Sequence, residues 1–249
     1  MSASARSARS ARKTAVVIGA GPGLGMSIAH RFGREGHAVA LVSRSGARHS
    51  GYVAELAGAG VEAGAFVADV RDRGHLLAAL DAVAERYGTI DLVYYGPGAV
   101  DPDARPKSIT ETDARSTQEA MCMVYPAIDV ANKVLPGMLE RGTGGLLFAG
   151  GLSAVTPMPD LGAFAVSSAA LHNYALTLNA AVSDKGIHVG SLIIGGLVER
   201  GDLHRSVTSQ PEAFGDVGSM SLDPDAIADT AWEMHSRRDR AEAVFSAFG

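Results

Sequence analysis

Ala15-Val16-Val17-Ile18-Gly19-Ala20-Gly21-Pro22-Gly23-Leu24-Gly25-Met26 is the stretch whose reading decides the fold. The apolar run Ala15 to Ile18 has the length of a buried strand. Met26, Ile28, Ala29 and Phe32 then follow at helical spacing. Strand, glycine turn, helix is the context that a dinucleotide-binding turn requires. The glycines let the backbone turn tightly and approach a pyrophosphate closely. The helix that follows offers unpaired N–H groups and a partial positive charge to the phosphates.

Moving outward, Ala38 to Val42 is apolar at every position, as a strand buried on both faces of a parallel sheet would be. A helical segment near Gly51 to Ala59 follows, then a strand from Ala63 to Val67 that ends in Asp69-Val70. Leu76 to Arg86 reads as an amphipathic helix, and Asp91 to Tyr95 as a fourth strand. A polar loop, Asp101 to Lys107, leads to a long helical region, Ser116 to Glu140, which Pro126 should bend or interrupt. Gly145 to Ala149 is a fifth strand, Gly162 to Asp184 a helix and Ile187 to Ile194 a sixth strand. The stretch 196–221 is polar and irregular. A helix, Pro224 to His235, and a strand, Ala241 to Phe245, close the chain. The alternation predicts a single-domain α/β fold, a Rossmann-type doubly wound parallel sheet of about seven strands. The loops after Ile18, Val42, Val67, Tyr95, Ala149 and Ile194 then share one ligand-binding rim.

The chain has 249 residues, 47% of them hydrophobic, which is enough for one sizeable core. The single cysteine, Cys122, excludes an intramolecular disulfide and a thiolate cluster and fits a cytoplasmic protein. No apolar run reaches the roughly 20 residues of a membrane span. Residues 4–12 repeat Ser-Ala-Arg three times, so residues 1–12 read as a disordered basic tail before a domain over 13–249. The net charge is −5 with that tail included, so neither nucleic acid nor a membrane is an expected partner of the body.

The ordered set of features resembles the short-chain dehydrogenase/reductase family over residues 13 to 246. The features are Gly19-x-x-x-Gly23-x-Gly25, Asp69-Val70, Ile90-Asp91-Leu92-Val93, Leu135 to Gly142, and Ala169-Ala170-Leu171 ahead of Gly186-Ile187-His188-Val189. The resemblance implies a nicotinamide dinucleotide held by Gly19, Gly23, Leu24, Gly25, Ser43, Arg44, Asp69, Val70, Tyr95 and Gly96. Of the two tyrosines ending the fourth strand, Tyr95 is the one expected to face the ligand. An acidic residue after the second strand would accept from a ribose 2′-hydroxyl, whereas Arg44 suits a 2′-phosphate, so NADP(H) is the expected cofactor. The resemblance also implies a homodimer or homotetramer built on the long helices, and a substrate lid over about 196–221.

The family's catalytic residues are a Ser, a Tyr, a Lys four residues after the Tyr, and an Asn. This chain has Gly151 at the Ser position, Phe164 at the Tyr position, Ser168 at the Lys position and a residue near Met123 at the Asn position. Phe cannot donate a proton, and losing a positioned general acid costs about 10²–10⁴-fold in rate. Ser153 and Ser168 are the remaining candidates for catalysis. Thr156, Asp160 and His172 are weaker ones, and Tyr174 is expected in the core or an interface. His188, His204 and His235 are scattered without ligand spacing, so no metal site is expected. Three readings stay open. The first is an NADP(H)-dependent oxidoreductase with a degenerate tetrad, acting on a small, apolar carbonyl or alcohol. The second is a non-redox cyclase, isomerase or dehydratase on the same fold. The third is a non-catalytic nucleotide-binding subunit.

Overall fold

The computed structural model describes residues 12–98, 106–210, 212 and 220–248. Seven parallel strands form one sheet in the order β3-β2-β1-β4-β5-β6-β9. They are β1 (Thr14–Ile18), β2 (Ala38–Ser43), β3 (Ala63–Val67), β4 (Leu92–Tyr95), β5 (Gly144–Gly151), β6 (Ile187–Gly195) and β9 (Glu242–Ser246). A second, two-stranded parallel pair joins β7 (Leu197–Val198) to β8 (Ser221–Leu222). The helices are α1 (Leu24–Arg34), α2 (His49–Gly58), α3 (Arg73–Tyr87), α4 (Ala114–Ala120), α5 (Tyr125–Arg141), α6 (Gly162–Val182), α7 (Asp202–Thr208) and α8 (Pro224–Arg237).

Both faces of the sheet are covered. Val16 and Ile18 point into one core with Leu76, Leu80, Val130, Ala131 and Leu171 of α3, α5 and α6. Ala15 and Val17 point into the other with Ile28 and Phe32 of α1, Leu56 of α2 and Ile227 and Met234 of α8. Every residue of β1 is fully buried, which is why its sequence shows an apolar run and no alternation. Helix starts are capped where the sequence allows it. Asp72 accepts from the His75 amide, Asp113 and Ser116 form a reciprocal capping box, and Asp223 accepts from the Asp225 amide.

The long helical region breaks as expected. A 3-10 turn, Met121–Met123, separates α4 from α5, and Pro126 takes the first turn of α5, where its missing N–H costs nothing. Of the expected tail, only Arg12 lies within the described residues, where it pairs with Glu62 at 2.9 Å. Of the expected lid, 196–210, 212, 220 and 221 are described.

β1 sits between β2 and β4, so the chain reverses direction across the sheet beside the glycine turn. In doubly wound sheets ligands bind in the crevice at this reversal, outside the carboxyl ends of the strands.

Candidate dinucleotide-binding site

The glycine turn is built by backbone packing. Gly19 takes φ +96°, and its amide donates to the Val42 carbonyl at 2.9 Å. A Cβ at Gly19 would collide with the Gly96 carbonyl, so the loops after β1 and β4 meet backbone to backbone. Gly96 in turn makes room for the Tyr94 hydroxyl, and its amide donates to the Ile18 carbonyl at 2.9 Å. Gly23 is the N-cap of α1 and carries no capping side chain, and no acid stands in that helix's first turn. The leading amides, including those of Leu24 and Gly25, are thus left for an anion. These free amides fit a diphosphate, and no carboxylate on α1 opposes one.

The tips of β2 and β3, adjacent strands paired Ser43 to Val67, carry the other residues expected to hold the nucleotide. The Ser43 hydroxyl donates to the Ser45 carbonyl (3.1 Å) and accepts from His49 Nε2–H (2.7 Å), which braces the loop carrying Arg44. Burial lowers the His49 pKa and keeps the ring neutral. Arg44 is exposed. Asp69 is held by Arg71, whose Nε and Nη2 donate to the carboxylate at 3.1 and 2.6 Å and whose amide donates at 3.0 Å. The Arg71 bonds pull the Asp69 pKa down to about 2, and Arg44 adds a smaller push the same way. Val70 is buried beneath them.

Tyr95 corrects the expectation that its ring faces the ligand. It is 1% exposed, packs against Phe148, and donates from its hydroxyl to the Met123 carbonyl at 2.7 Å. Tyr94 is buried on the opposite face of the sheet. Strand alternation sends the two rings into the two cores, and only the backbone after them reaches the rim.

The second half of the site collects around Gly151, the last residue of β5. Ser153, on the following 3-10 turn, is buried, and Ser168 stands on α6. A Cβ at Gly151 would lie 3.4 Å from both the Ser153 and Ser168 hydroxyl oxygens. The structure therefore brings the two serines together over Gly151. Phe164, one helical turn before Ser168, is 42% exposed. Met123 offers this region its carbonyl already engaged by Tyr95. Thr156 and Asp160 are exposed.

His172 lies elsewhere. Its Nε2 pairs with Glu242 at 2.8 Å, and Glu242 sits opposite Ser191, well short of the carboxyl end of β6. Tyr174 packs on Phe148 in the core. His204 meets the Ser221 hydroxyl at 3.1 Å. The histidines that look scattered in sequence are not all so: His188 and His235 lie ring to ring at 6.4 Å, at the foot of the sheet, away from the rim. Among the described residues no group of three His, Cys, Asp or Glu is placed to hold a metal ion, and no helix is long and apolar enough to cross a membrane.

The sequence reading missed Arg200. It follows β7 in the irregular stretch, has φ +65°, and reaches Ser27 on α1. No periodicity marks it.

A family-wide comparison matches this chain: the short chain dehydrogenase pattern covers residues 13–211. The chain belongs to the short chain dehydrogenase family. Its curated relatives include the 1-deoxy-11-beta-hydroxypentalenate dehydrogenase of Streptomyces exfoliatus, 27% identical over 223 residues, covering 89% of this chain and 78% of that protein. They also include the uncharacterized oxidoreductase UxuB of Bacillus subtilis, 25% identical over 197 residues, covering 74% of this chain and 71% of that protein. Among solved structures, an actinorhodin polyketide ketoreductase variant with NADPH superposes with a TM-score of 0.79 at 24% identity, covering 94% of this chain and 95% of that one. The shared fold is the family's seven-stranded parallel sheet with helices on both faces.

Proposed function

We propose that the protein is an NADP(H)-dependent oxidoreductase that acts on a small, apolar carbonyl or alcohol with a degenerate catalytic tetrad. The observation that carries this reading is the intact nucleotide half of the site. The glycine turn leads into α1, whose leading amides have no capping side chain and no acid in the first turn, the exposed Arg44 follows β2, and Asp69 after β3 is already neutralised by Arg71. A carboxylate left free there would repel a 2′-phosphate; the Arg71 pair removes that repulsion. The cofactor, when bound, supplies or accepts a hydride. The chain's own part is to seat the diphosphate on the amides of α1, hold a 2′-phosphate with Arg44, and orient the substrate oxygen with the hydroxyls of Ser153 and Ser168. Phe164 carries no acidic proton, so the proton reaches the substrate oxygen through a serine hydroxyl or water. The same ring presents an apolar wall, which suits a hydrophobic substrate.

Titration of NADPH and NADH against the wild type and Arg44→Asp tests the reading. The wild type is expected to prefer NADPH, and the variant to lose about 10–100-fold in NADPH affinity while gaining in NADH affinity. Absence of binding of either nucleotide to the wild type overturns it. One observation favours a non-redox catalyst on the same fold: Phe164 stands where proton transfer would be served. Turnover without any nicotinamide would select that alternative. We further propose a homodimer or homotetramer, supported by exposed Tyr125 and Leu139 on α5 and Val166 on α6. Sedimentation equilibrium tests it.

A further inference from the structure

The segment that follows β7 lies against the glycine turn. A Cβ at Gly23 would meet the Glu199 carbonyl oxygen at 3.0 Å and Gly201 backbone atoms at 3.1 Å. This strap, Glu199 to Asp202, is pinned on its α8 side. The Glu199 amide donates to the Leu222 carbonyl at 3.0 Å, and Arg200 Nη2 donates to the Ser27 hydroxyl at 3.0 Å and to Asp225 at 2.8 Å. Its far side has a different tether. Asp202, which opens α7, accepts from Arg48 Nη1 at 2.6 Å across 154 residues of sequence. Arg48 is the residue before α2, at the end of the loop that carries Arg44. Among the described residues no other hydrogen bond or ion pair joins the strap or α7 to that loop or to α2.

These contacts close a ring. The Gly19 amide donates to the Val42 carbonyl at 2.9 Å, which joins the glycine turn to the end of β2. From Val42 the chain runs through Arg44 to Arg48, the ion pair crosses to Asp202, and Gly201 returns to Gly23. The other links are covalent, backbone hydrogen-bonded or packed backbone to backbone. The Arg48–Asp202 pair is the exception. Its side chains are 53% and 59% exposed, and exposed pairs break cheaply. The carboxylate is nevertheless held in place. Arg205 Nη2 donates to its other oxygen at 2.6 Å, and Arg48 first, then Arg205, keep the Asp202 pKa below the usual carboxylate value. The ring therefore has one link made to open and close.

We propose that Arg48 and Asp202 form a latch that closes the strap across the path of the dinucleotide and sets how fast it enters and leaves. This inference rests on the nucleotide-binding reading above. A ligand that reaches both the turn after β1 and Arg44 after β2 lies along one side of this ring, and the strap lies along the other. Arg48 and Asp202 are positioning residues: they hold the strap and make no contact with the ligand. Such a latch slows entry and exit alike and leaves the affinity unchanged, because it adds no interaction with the ligand. When the pair parts, Arg200 keeps the strap anchored to α8, so the opening is local.

Stopped-flow fluorescence of NADPH and NADH binding to the wild type, Arg48→Met, Asp202→Asn and the double variant tests it. Dissociation is expected to be about 2–5-fold faster in each single variant and no faster in the double than in either single, because one pair is broken in all three. The double variant keeps the net charge, so electrostatic steering cancels. Its association is expected to rise by about the same 2–5-fold, with affinity within about twofold of wild type. Wild-type rates in the double variant overturn the proposal, as do effects of the single variants that multiply in the double. Slower dissociation in Asp202→Asn beside faster dissociation in Arg48→Met also overturns it, by marking Arg48 as a direct phosphate contact that Asp202 competes for. Failure of the wild type to bind any nicotinamide dinucleotide fells the nucleotide-binding reading itself, a separate outcome.

Discussion

Gly151 has two serine hydroxyls beside the place where its own side chain would start. A Cβ there meets Ser153 and Ser168 at 3.4 Å, ordinary contact distance, so the backbone at 151 has room for a side chain to begin. Phe164 and Ser168 lie one helical turn apart on α6, so a Tyr and a Lys in their places would reach the same space. The triple variant Gly151→Ser, Phe164→Tyr, Ser168→Lys is therefore expected to raise NADPH-dependent reduction of a small ketone by about 10²-fold or more. Steady-state rates of NADPH consumption check it; a variant that folds and binds NADPH but gains nothing refutes the assignment of these positions. The same scale shows where sequence reading stops. The proposed assignment of the catalytic positions to 151, 164 and 168 rests on spacing along a strand and a helix, which the sequence does display. The fate of Tyr95 is not displayed, because two adjacent tyrosines on a strand buried on both faces give no sign of which core each enters. Arg200 is equally silent, since its meaning lies in contacts with Ser27 and Asp225, both remote in sequence.

At the scale of elements, β1, β2 and β4 are legible because burial on both faces demands apolar runs, and Pro126 marks the break before α5. The start of α6 is set by something the sequence does not display. Gly162 has φ +36°, and a Cβ on it would collide with the Lys107 carbonyl and the Thr112 hydroxyl. That junction fixes where Phe164 and Ser168 begin. Gly162→Ala is expected to lower the unfolding free energy by about 2–3 kcal/mol, combining backbone strain with overpacking. Urea unfolding with the slope unchanged is the measurement. A loss under about 0.5 kcal/mol would show that the junction yields.

Across the whole molecule, the two ends of the sheet differ in chemistry. The rim is polar and glycine-rich, whereas the foot buries three histidines. His37 and His235 flank Trp232, and His235 faces His188. His37 Nδ1 bonds the Phe32 carbonyl and His188 Nε2 the Arg240 carbonyl, so each ring is neutral with its other nitrogen bare. Burial lowers all three pKa values, that of His235 to about 3, with the cations Arg238 and Lys13 adding repulsion there. The sign follows from proton counts. Above the unfolded value of about 6.5 neither state binds these protons and stability is flat. Below it the unfolded chain takes up protons that the native state refuses, so stability falls, by up to about 1.4 kcal/mol per pH unit for each histidine. Denaturant midpoints at pH 7.5 and 5.5 should differ, and His235→Phe should narrow the gap; an identical gap in the variant would refute the assignment. The central position of β1 has a further, temporal consequence. Asp91 closes onto the Thr14 amide across 77 residues, and β4 completes the wall of the glycine turn. At about 5–20 residues per second of synthesis, the turn waits several seconds on the ribosome before its neighbouring strand exists. Nucleotide binding by a growing chain would thus time the closing of the sheet: nascent chains that end before Tyr95 should be blind to the ligand.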